Sequence, residues 1–379
     1  MSKAITPFTL AVPQAELDDL RRRLGATRWP ERETVNDWSQ GSPLGAVQAL
    51  CAYWREHYDW RRCEARLNAL GQFKTEIDGL GIHFLHVISP HPNALPLLIT
   101  HGWPGSVVEF LKVIGPLTDP VAHGGSANEA FHVIAPSLPG YGFSDKPKSA
   151  GWTVARVAAA WMTLMARLGY ERWVAQGGGW GSAVTTAIAV ARPKACAAIH
   201  LNMPMIYPAP EDMANMTAAE KAALASIAYY RDRDSSYSKQ QATRPQSLGY
   251  GLVDSPVAQA AWIYEKMWAW TDNRGAPEDA LTRDEILDNI MMYWLPATGA
   301  SSARLYWESL AAFATTKVDL PTGVSIYPKE IYRPSRRWAE KYLTRIIHWN
   351  ELDRGGHFAA WEQPQLYVAE LRKCFRLVR

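Results

Sequence analysis

Cysteine is scarce in this chain, with only four among 379 residues: Cys51, Cys63, Cys196 and Cys374. They form no CxxC pair and no dense framework, which excludes a small disulfide-stapled domain. We expect buried free thiols, with a Cys51–Cys63 pair as the alternative in an oxidising compartment. The ten histidines show no HExxH or other clustered ligand spacing, and no cofactor motif is present. We therefore expect neither a metal site nor a cofactor.

The chain also lacks a large net charge and long apolar runs. A formal charge of +3 gives no electrostatic support for binding nucleic acid or a membrane surface. No stretch reaches the roughly 18–20 uninterrupted apolar residues that span a bilayer, and the first residues show no signal-peptide pattern. We expect a cytoplasmic protein without a membrane anchor. The composition leaves the assembly state open, and a homodimer is one possibility.

The segment VAQGGGWGSAVTTA, residues 174–187, lacks the one side chain that its pattern requires. A short apolar strand, a glycine-rich turn and a helix are typical of a nucleophile elbow, small-x-nucleophile-x-small. The pattern fits only at residues 177–181, where the attacking position is Gly179. Ser182 lies inside the following helix, so its hydroxyl is expected to point away from the apex. The segment is also a poor dinucleotide fingerprint, because no acidic residue ends the next strand.

Strand and helix patterns alternate along the middle of the chain. Apolar runs such as LPLLIT, FHVIAP, WVAQ and CAAIHLN predict buried strands, and TVARVAAAWMTLMARLG has the apolar spacing of an amphipathic helix. The segment FKTEIDGLGIHFLHVIS predicts a hairpin that turns at Asp78-Gly79. This alternation predicts an α/β fold with a mostly parallel, doubly wound sheet.

The strand series is interrupted once, which suggests how the chain is organised. Residues 1–75 are predicted to form a helical meander that packs on the rest, and residues 76–204 to form the first part of the α/β core. Residues 205–300 are mostly helical and predict a lid inserted over the sheet. Strands resume at GVSIY and RIIHW, so residues 301–379 are predicted to complete the core.

Four predicted strands end in segments that carry chemistry. These are HGWPG (101–105), GGGWG (177–181), YPKE (327–330) and RGGHF (354–358). Because function sits at the carboxyl ends of strands in an open α/β sheet, we expect these segments to meet. Their order corresponds to the oxyanion loop, elbow, acid and histidine of an α/β-hydrolase.

At these segments the chain resembles the epoxide hydrolases of the microsomal and juvenile-hormone type. The resemblance is carried by HGWPGS, PSLPGYGFSDKP, AQGGGWGSAVT, DSPVAQAAWIYEKMWAW, MMYWL, LPTGVSIYPKE and RGGHFAAWEQP, which extend over essentially the whole chain. It implies an epoxide substrate and an aspartate at the elbow that attacks the epoxide to form an ester. A histidine–acid pair then activates water to hydrolyse the ester, and two lid tyrosines donate hydrogen bonds to the epoxide oxygen.

Carried over residue by residue, the resemblance implies that His357 is the histidine and Glu330 its acid partner. Tyr237 and Tyr306 are the implied lid donors, and Gly179 stands at the position of the aspartate. Asp353 is a rival acid, but it lies only four residues before the histidine and is poorly placed to orient the ring. Either tyrosine has packing as its alternative role in a chain with sixteen tyrosines.

The remaining implied site residues surround the elbow. The backbone N–H groups of Trp103 and Trp180 are the implied oxyanion donors. The same two residues and His101 are expected to form walls of the substrate pocket, with shaping of the loop as the alternative role of His101.

Three functions are compatible with an elbow that has no nucleophile. The first is a non-hydrolytic epoxide-opening enzyme in which a group of the substrate attacks, closing a ring by a new C–O or C–C bond. Its substrate would be a large secondary metabolite, with an aromatic one as an option, and direct attack by water is a variant. The second is an ordinary epoxide hydrolase inactivated at Gly179, and the third is a non-catalytic ligand-binding protein. The sequence favours the first, because every other role in the family reaction can be filled.

Overall fold

The computed structural model describes residues 4–310 and 315–379. Within these residues the strands form one nine-stranded sheet in the order β1-β2-β3-β5-β4-β6-β7-β8-β9. The strands are β1 (Ile5–Pro7), β2 (Gln72–Ile77), β3 (Leu80–Val87), β4 (Leu95–Thr100), β5 (Phe131–Pro136), β6 (Trp173–Gly177), β7 (Cys196–Leu201), β8 (Thr322–Ile326) and β9 (Ile346–Glu351).

The sheet is antiparallel at one side and parallel over the rest. β1, β2 and β3 pair antiparallel, as do β3 and β5. The six strands from β5 to β9 in the sheet order pair in parallel. The predicted hairpin is present, and both residues of its turn, Asp78 and Gly79, have positive φ, as a tight two-residue turn requires. The mostly parallel sheet with helices confirms the predicted α/β class.

Helices form the crossovers between the parallel strands, and further helices form the segment between β7 and β8. In the described part of the chain they are α1 (Gln14–Gly25), α2 (Leu44–Glu56), α3 (Trp60–Asn68), α4 (Ile114–Thr118), α5 (Val154–Arg167), α6 (Trp180–Ala191), α7 (Ala218–Tyr229), α8 (Ser236–Thr243), α9 (Pro245–Asp254), α10 (Pro256–Trp270), α11 (Arg283–Trp294), α12 (Gly299–Ser309), α13 (Arg336–Ala339), α14 (Ala359–Glu362) and α15 (Pro364–Phe375). A π-helical turn, Tyr230–Asp234, joins α7 to the segment before α8.

Two predicted domain boundaries fall inside secondary-structure elements. The boundary after residue 75 cuts β2, and β1 within the first 75 residues joins the sheet edge, so this region is not helical throughout. The boundary after residue 300 cuts α12, which continues the helical block to Ser309. The reason is physical: helix α12 packs on α8 and α9 of the lid, whereas composition marks only where the strand pattern resumes.

Several sequence expectations concern features of the whole chain. All four cysteines are buried and free of disulfides. No helix in residues 4–310 and 315–379 is long and apolar enough to cross a membrane. The same residues contain no cluster of three or more histidine, cysteine or acidic side chains suited to hold a metal ion.

Candidate active site

The elbow is built where β6 ends and α6 begins. Gly181 lies against the end of β4, and a Cβ atom added there would stand 1.9 Å from the carbonyl oxygen of Thr100. No side chain fits in that contact, so the small residue of the elbow pattern is a packing requirement. Ser182 faces away from the cavity, since its buried hydroxyl donates a hydrogen bond to the Met203 carbonyl at 2.6 Å. This geometry agrees with the expectation that it does not replace the nucleophile.

Gly179 occupies the apex of the elbow, with φ +52° and ψ −128°. This is a conformation that side-chain-bearing residues rarely adopt, because their Cβ atom crowds the backbone. A Cβ atom added to Gly179 would point directly at the opposite histidine and stand 3.0 Å from Nε2 of His357. The apex therefore faces the histidine as a nucleophile position does, and a side chain there would require the histidine ring to move slightly away.

The histidine and the acid form a direct pair. Nδ1 of His357 lies 2.7 Å from Oε1 of Glu330, which follows β8, and the amide of Ile331 donates to the same oxygen at 2.6 Å. The backbone amide of His357 donates to the Trp270 carbonyl at 2.9 Å. The carboxylate fixes the ring so that Nε2 faces the elbow. Asp353, the rival acid, is exposed on the preceding loop.

The charges around His357 set its protonation. Burial lowers the pKa of His357, but the Glu330 carboxylate, together with Glu109 and Glu362, raises it by more. The net pKa lies above the ordinary value of 6.5. Burial raises the pKa of the Glu109 carboxyl to about 8 and that of Glu362 to about 7, so both are weak acids beside the ring.

The two lid tyrosines lie above the apex on α8 and α12. The Tyr237 ring stacks on the Trp103 indole with centroids 4.8 Å apart, and the Tyr306 ring meets the Trp180 indole edge-on at 4.8 Å. The Tyr237 hydroxyl also lies 2.9 Å from that of Tyr230. Burial raises the pKa of Tyr237 and of Tyr306 well above the usual range, so both hydroxyls stay protonated and able to donate.

The loop after β4 and the elbow lie in backbone contact. A Cβ atom on Gly102 would stand 2.9 Å from the amide nitrogen of Trp180. The expected oxyanion residues Trp103 and Trp180 thus come from adjoining backbone segments, and both line the cavity. His101 lies behind the wall instead, where its Nδ1 is 3.0 Å from the Gly102 carbonyl oxygen and its Nε2 accepts from Leu138 at 3.2 Å. These contacts fit the loop-shaping alternative, and His101 also lines a small neighbouring cavity together with His357, so its part in the substrate pocket stays a prediction.

One aromatic cavity of about 250 Å³ collects these residues. It is lined by Trp103, Gly179, Trp180, Met203, Met205, Tyr207, Tyr230, Tyr237, Ser238, Trp270, Tyr306, Leu310, Ile331, Tyr332 and His357. Its polar side chains are the His357 ring and the hydroxyl groups of Ser238 and of five tyrosines. The volume lies just below the range of roughly 300–1,000 Å³ for small-molecule sites, which favours a compact substrate over the large one expected from the sequence.

Sequence reasoning did not identify Glu109, Trp270 and Tyr230 as neighbours of the site. Glu109 is an acid in the otherwise apolar run VVEF. An acidic residue among residues expected to be buried could have indicated a functional role. Trp270 ends α10 and packs its ring 5.1 Å from that of His357. One tryptophan of seventeen carries no such signal in the sequence, since its position depends on how the lid folds over the core.

Comparison with known proteins gives a consistent result. A family model described as the epoxide hydrolase N terminus matches residues 5–110, and one described as the alpha/beta hydrolase fold matches residues 96–247. A "Putative epoxide hydrolase" of Stigmatella aurantiaca is 60% identical over 99% of this chain and 86% of its own length. "Epoxide hydrolase 1" of Sus scrofa is 34% identical over 99% of this chain and 89% of its own.

The solved structures agree with the sequence relatives. The structure of the Aspergillus niger epoxide hydrolase superposes with a TM-score of 0.90 at 30% identity, covering 99% of this chain and 97% of that one. The predicted α/β-hydrolase fold and the resemblance on which the site assignments rest are thereby confirmed. The chain belongs to the epoxide hydrolase family of the α/β-hydrolase fold.

Proposed function

We propose that this chain opens compact epoxides by direct attack, without an ester intermediate, and that the attacking group belongs to the substrate itself. The observation that carries the proposal is the composition of the cavity. His357, Tyr237 and Tyr306 all border it, whereas Gly179 brings no nucleophile to the apex at which the histidine is aimed. The attacking group must then be one that the histidine can deprotonate, while the tyrosines donate hydrogen bonds to the epoxide oxygen.

The tyrosines supply the electrophilic half of the reaction. As the epoxide C–O bond breaks, negative charge develops on the oxygen, and two hydroxyl donors held in an aromatic cavity stabilise it. Their raised pKa values keep both protons in place at neutral pH. One of them then passes its proton to the alkoxide.

The histidine supplies the basic half. A substrate hydroxyl forms the new C–O bond and loses its proton to Nε2 of His357, while Glu330 stabilises the resulting imidazolium through Nδ1. Return of that proton to the tyrosine restores the enzyme. No atom is gained or lost, so the product is a cyclic ether isomeric with the substrate.

The size of the cavity favours an internal attacker. A compact substrate that fills this aromatic cavity of about 250 Å³ would displace water from beside the elbow. Holding an attacking hydroxyl near the epoxide makes the step unimolecular, and well-oriented intramolecular reactions gain several kcal/mol in this way, roughly 7–11 at best.

Direct attack by water, deprotonated by the same His357, is the second candidate. It is favoured by the names of the relatives, which are epoxide hydrolases, and it gives a vicinal diol. The acid, base and tyrosine roles are unchanged in this candidate, so only the origin of the new oxygen distinguishes it.

The test uses pairs of compact arylalkyl epoxides in ¹⁸O-labelled water, one bearing a free hydroxyl four or five atoms from the epoxide and the other its methyl ether. The proposal predicts an unlabelled isomeric cyclic ether from the hydroxy-epoxide and no product from the methyl ether. A labelled diol from both replaces the proposal with the water candidate. Absence of any turnover until Gly179→Asp restores diol formation would overturn both and identify a disabled hydrolase.

A further inference from the structure

A buried ion pair lies directly beneath the lid tyrosine. The side chain of Lys266 on α10 is 1% exposed, and its ammonium nitrogen lies 2.5 Å from Oδ1 of Asp234 and 2.8 Å from Oε1 of Glu265. The same nitrogen lies 4.8 Å from the ring centroid of Tyr237 and 5.5 Å from that of Trp270. A lysine is rarely buried to this extent unless its charge is paired, so the arrangement calls for an explanation.

The two carboxylates around Lys266 differ in what else they contact. The second oxygen of Asp234 accepts a hydrogen bond from the Trp270 indole nitrogen at 2.6 Å. Glu265 is 27% exposed, and its Oε1 accepts a hydrogen bond from Lys266. Asp234 therefore joins the buried cation to a wall of the cavity, and Glu265 only completes the lysine's hydrogen bonds.

Trp270 connects this ion pair to the reacting groups. Its ring packs 5.2 Å from that of Tyr237 and 5.1 Å from that of His357. Its carbonyl oxygen accepts a hydrogen bond from the backbone amide of His357. One residue fixed by Asp234 thus contacts both the proposed donor and the proposed base.

We propose that Lys266 and Asp234 are positioning residues, which hold Tyr237 and Trp270 in place so that the tyrosine hydroxyl points into the cavity at the substrate oxygen. The role of Tyr237 as donor comes from the proposed function, so the inference rests on it. The ion pair itself touches no substrate. Its effect reaches the substrate through the Tyr237 ring, which lies over the ammonium group, and through the tryptophan.

The experiment measures binding, so that it does not depend on turnover. The probe is 3-phenylpropanamide, whose carbonyl oxygen can accept hydrogen bonds from the tyrosines, and its affinity is measured by isothermal titration calorimetry. We expect Tyr237→Phe to weaken binding about tenfold, as loss of a hydrogen bond does. Asp234→Leu is expected to weaken it by about the same factor, whereas the matched control Glu265→Gln changes it less than about twofold.

A double-mutant cycle separates positioning from general damage. If Asp234 acts through the tyrosine, Asp234→Leu has less than about a twofold effect in the Tyr237→Phe background. Asp234→Asn keeps one acceptor oxygen, for the indole or the lysine but not both, and is expected to weaken binding less than Asp234→Leu does, which also keeps the test informative if the leucine variant does not fold. Additive losses, an equal loss in Glu265→Gln, or no effect of Tyr237→Phe would each overturn the proposal. Failure of the proposed function shows instead as normal probe binding without epoxide turnover.

Discussion

The elbow and the histidine loop face each other across one cavity, and they differ in what they bring to it. The histidine loop is complete, with His357 held by Glu330 at 2.7 Å and backed by Trp270. The elbow keeps its turn and its close backbone packing, and its apex faces His357. Gly179, however, has no side chain that could attack a substrate. Backbone geometry and chemical function are thus separable, and the proposed reaction uses only the groups of the histidine loop and the lid.

The largest expected effect is at the histidine. Replacing the base by a neutral, non-basic side chain, His357→Gln, is expected to lower kcat/KM by on the order of 10²–10⁴-fold, the usual contribution of general acid–base catalysis. Steady-state kinetics on the hydroxy-epoxide checks this, with the exposed His123→Gln as the control. Unchanged turnover in the His357 variant would mean that the histidine loop has no chemical role.

Next in size is the loss of a lid donor. Tyr306→Phe keeps the ring that packs on Trp180 and removes only the hydroxyl, so we expect kcat to fall about 10²-fold, as when one oxyanion donor is removed. Tyr250→Phe, at a residue that is 71% exposed, is the control. If both variants turn over like the parent chain, Tyr306 serves packing alone.

The acid partner is expected to change the pH dependence more than the maximal rate. The base form of His357 is needed, so the rate rises with pH through its raised pKa. Because Glu330 raises that pKa, Glu330→Gln lowers it and moves the ascending limb to lower pH, with about a tenfold loss at the plateau from the less well oriented ring. Asp353→Asn should leave the profile unchanged, and a shift of the limb in that variant instead would assign the acid role to Asp353.

The smallest effect distinguishes two neighbouring glycines of the elbow. Gly179 has φ +52° and a Cβ atom there would crowd His357, whereas a Cβ atom on Gly178 meets Asn202 at an ordinary 3.8 Å. We expect Gly179→Ala to cost about 1–3 kcal/mol of unfolding free energy from backbone strain. Gly178→Ala is expected to cost less than about 0.5 kcal/mol, in the range of substitutions without a special constraint. Urea titrations give both values, and equal stabilities would show that the apex is unstrained.

Much of the fold and of the candidate site could be predicted from the sequence, because it depends on local sequence patterns. Apolar runs that end in glycine, histidine or acid place chemistry at the carboxyl ends of strands. His357 and Glu330 meet there because parallel strands end at one edge. The hairpin at Asp78-Gly79 was predictable for the same reason, since its turn residues are adjacent in the chain.

What could not be predicted depends on contacts between distant segments. Glu109, in the loop after β4, reaches the environment of His357 only when the core strands assemble, and Asp234 meets Lys266 and Trp270 only when the helices of the lid pack on one another. The place of His101 behind the cavity follows from its hydrogen bond to the Leu138 amide, which no local pattern encodes. The extension of the lid through α12 was missed because packing, not composition, sets its end.

The central claim is that this chain opens epoxides without forming an ester to the protein. The direct measurement is the mass of the intact protein, quenched during turnover of the hydroxy-epoxide, with Gly179→Asp as the variant expected to form an ester. The account predicts product from the parent chain with no increase in protein mass, and an adduct of the substrate's mass in the variant. An adduct on the parent chain, or turnover that begins only with the aspartate, would contradict it.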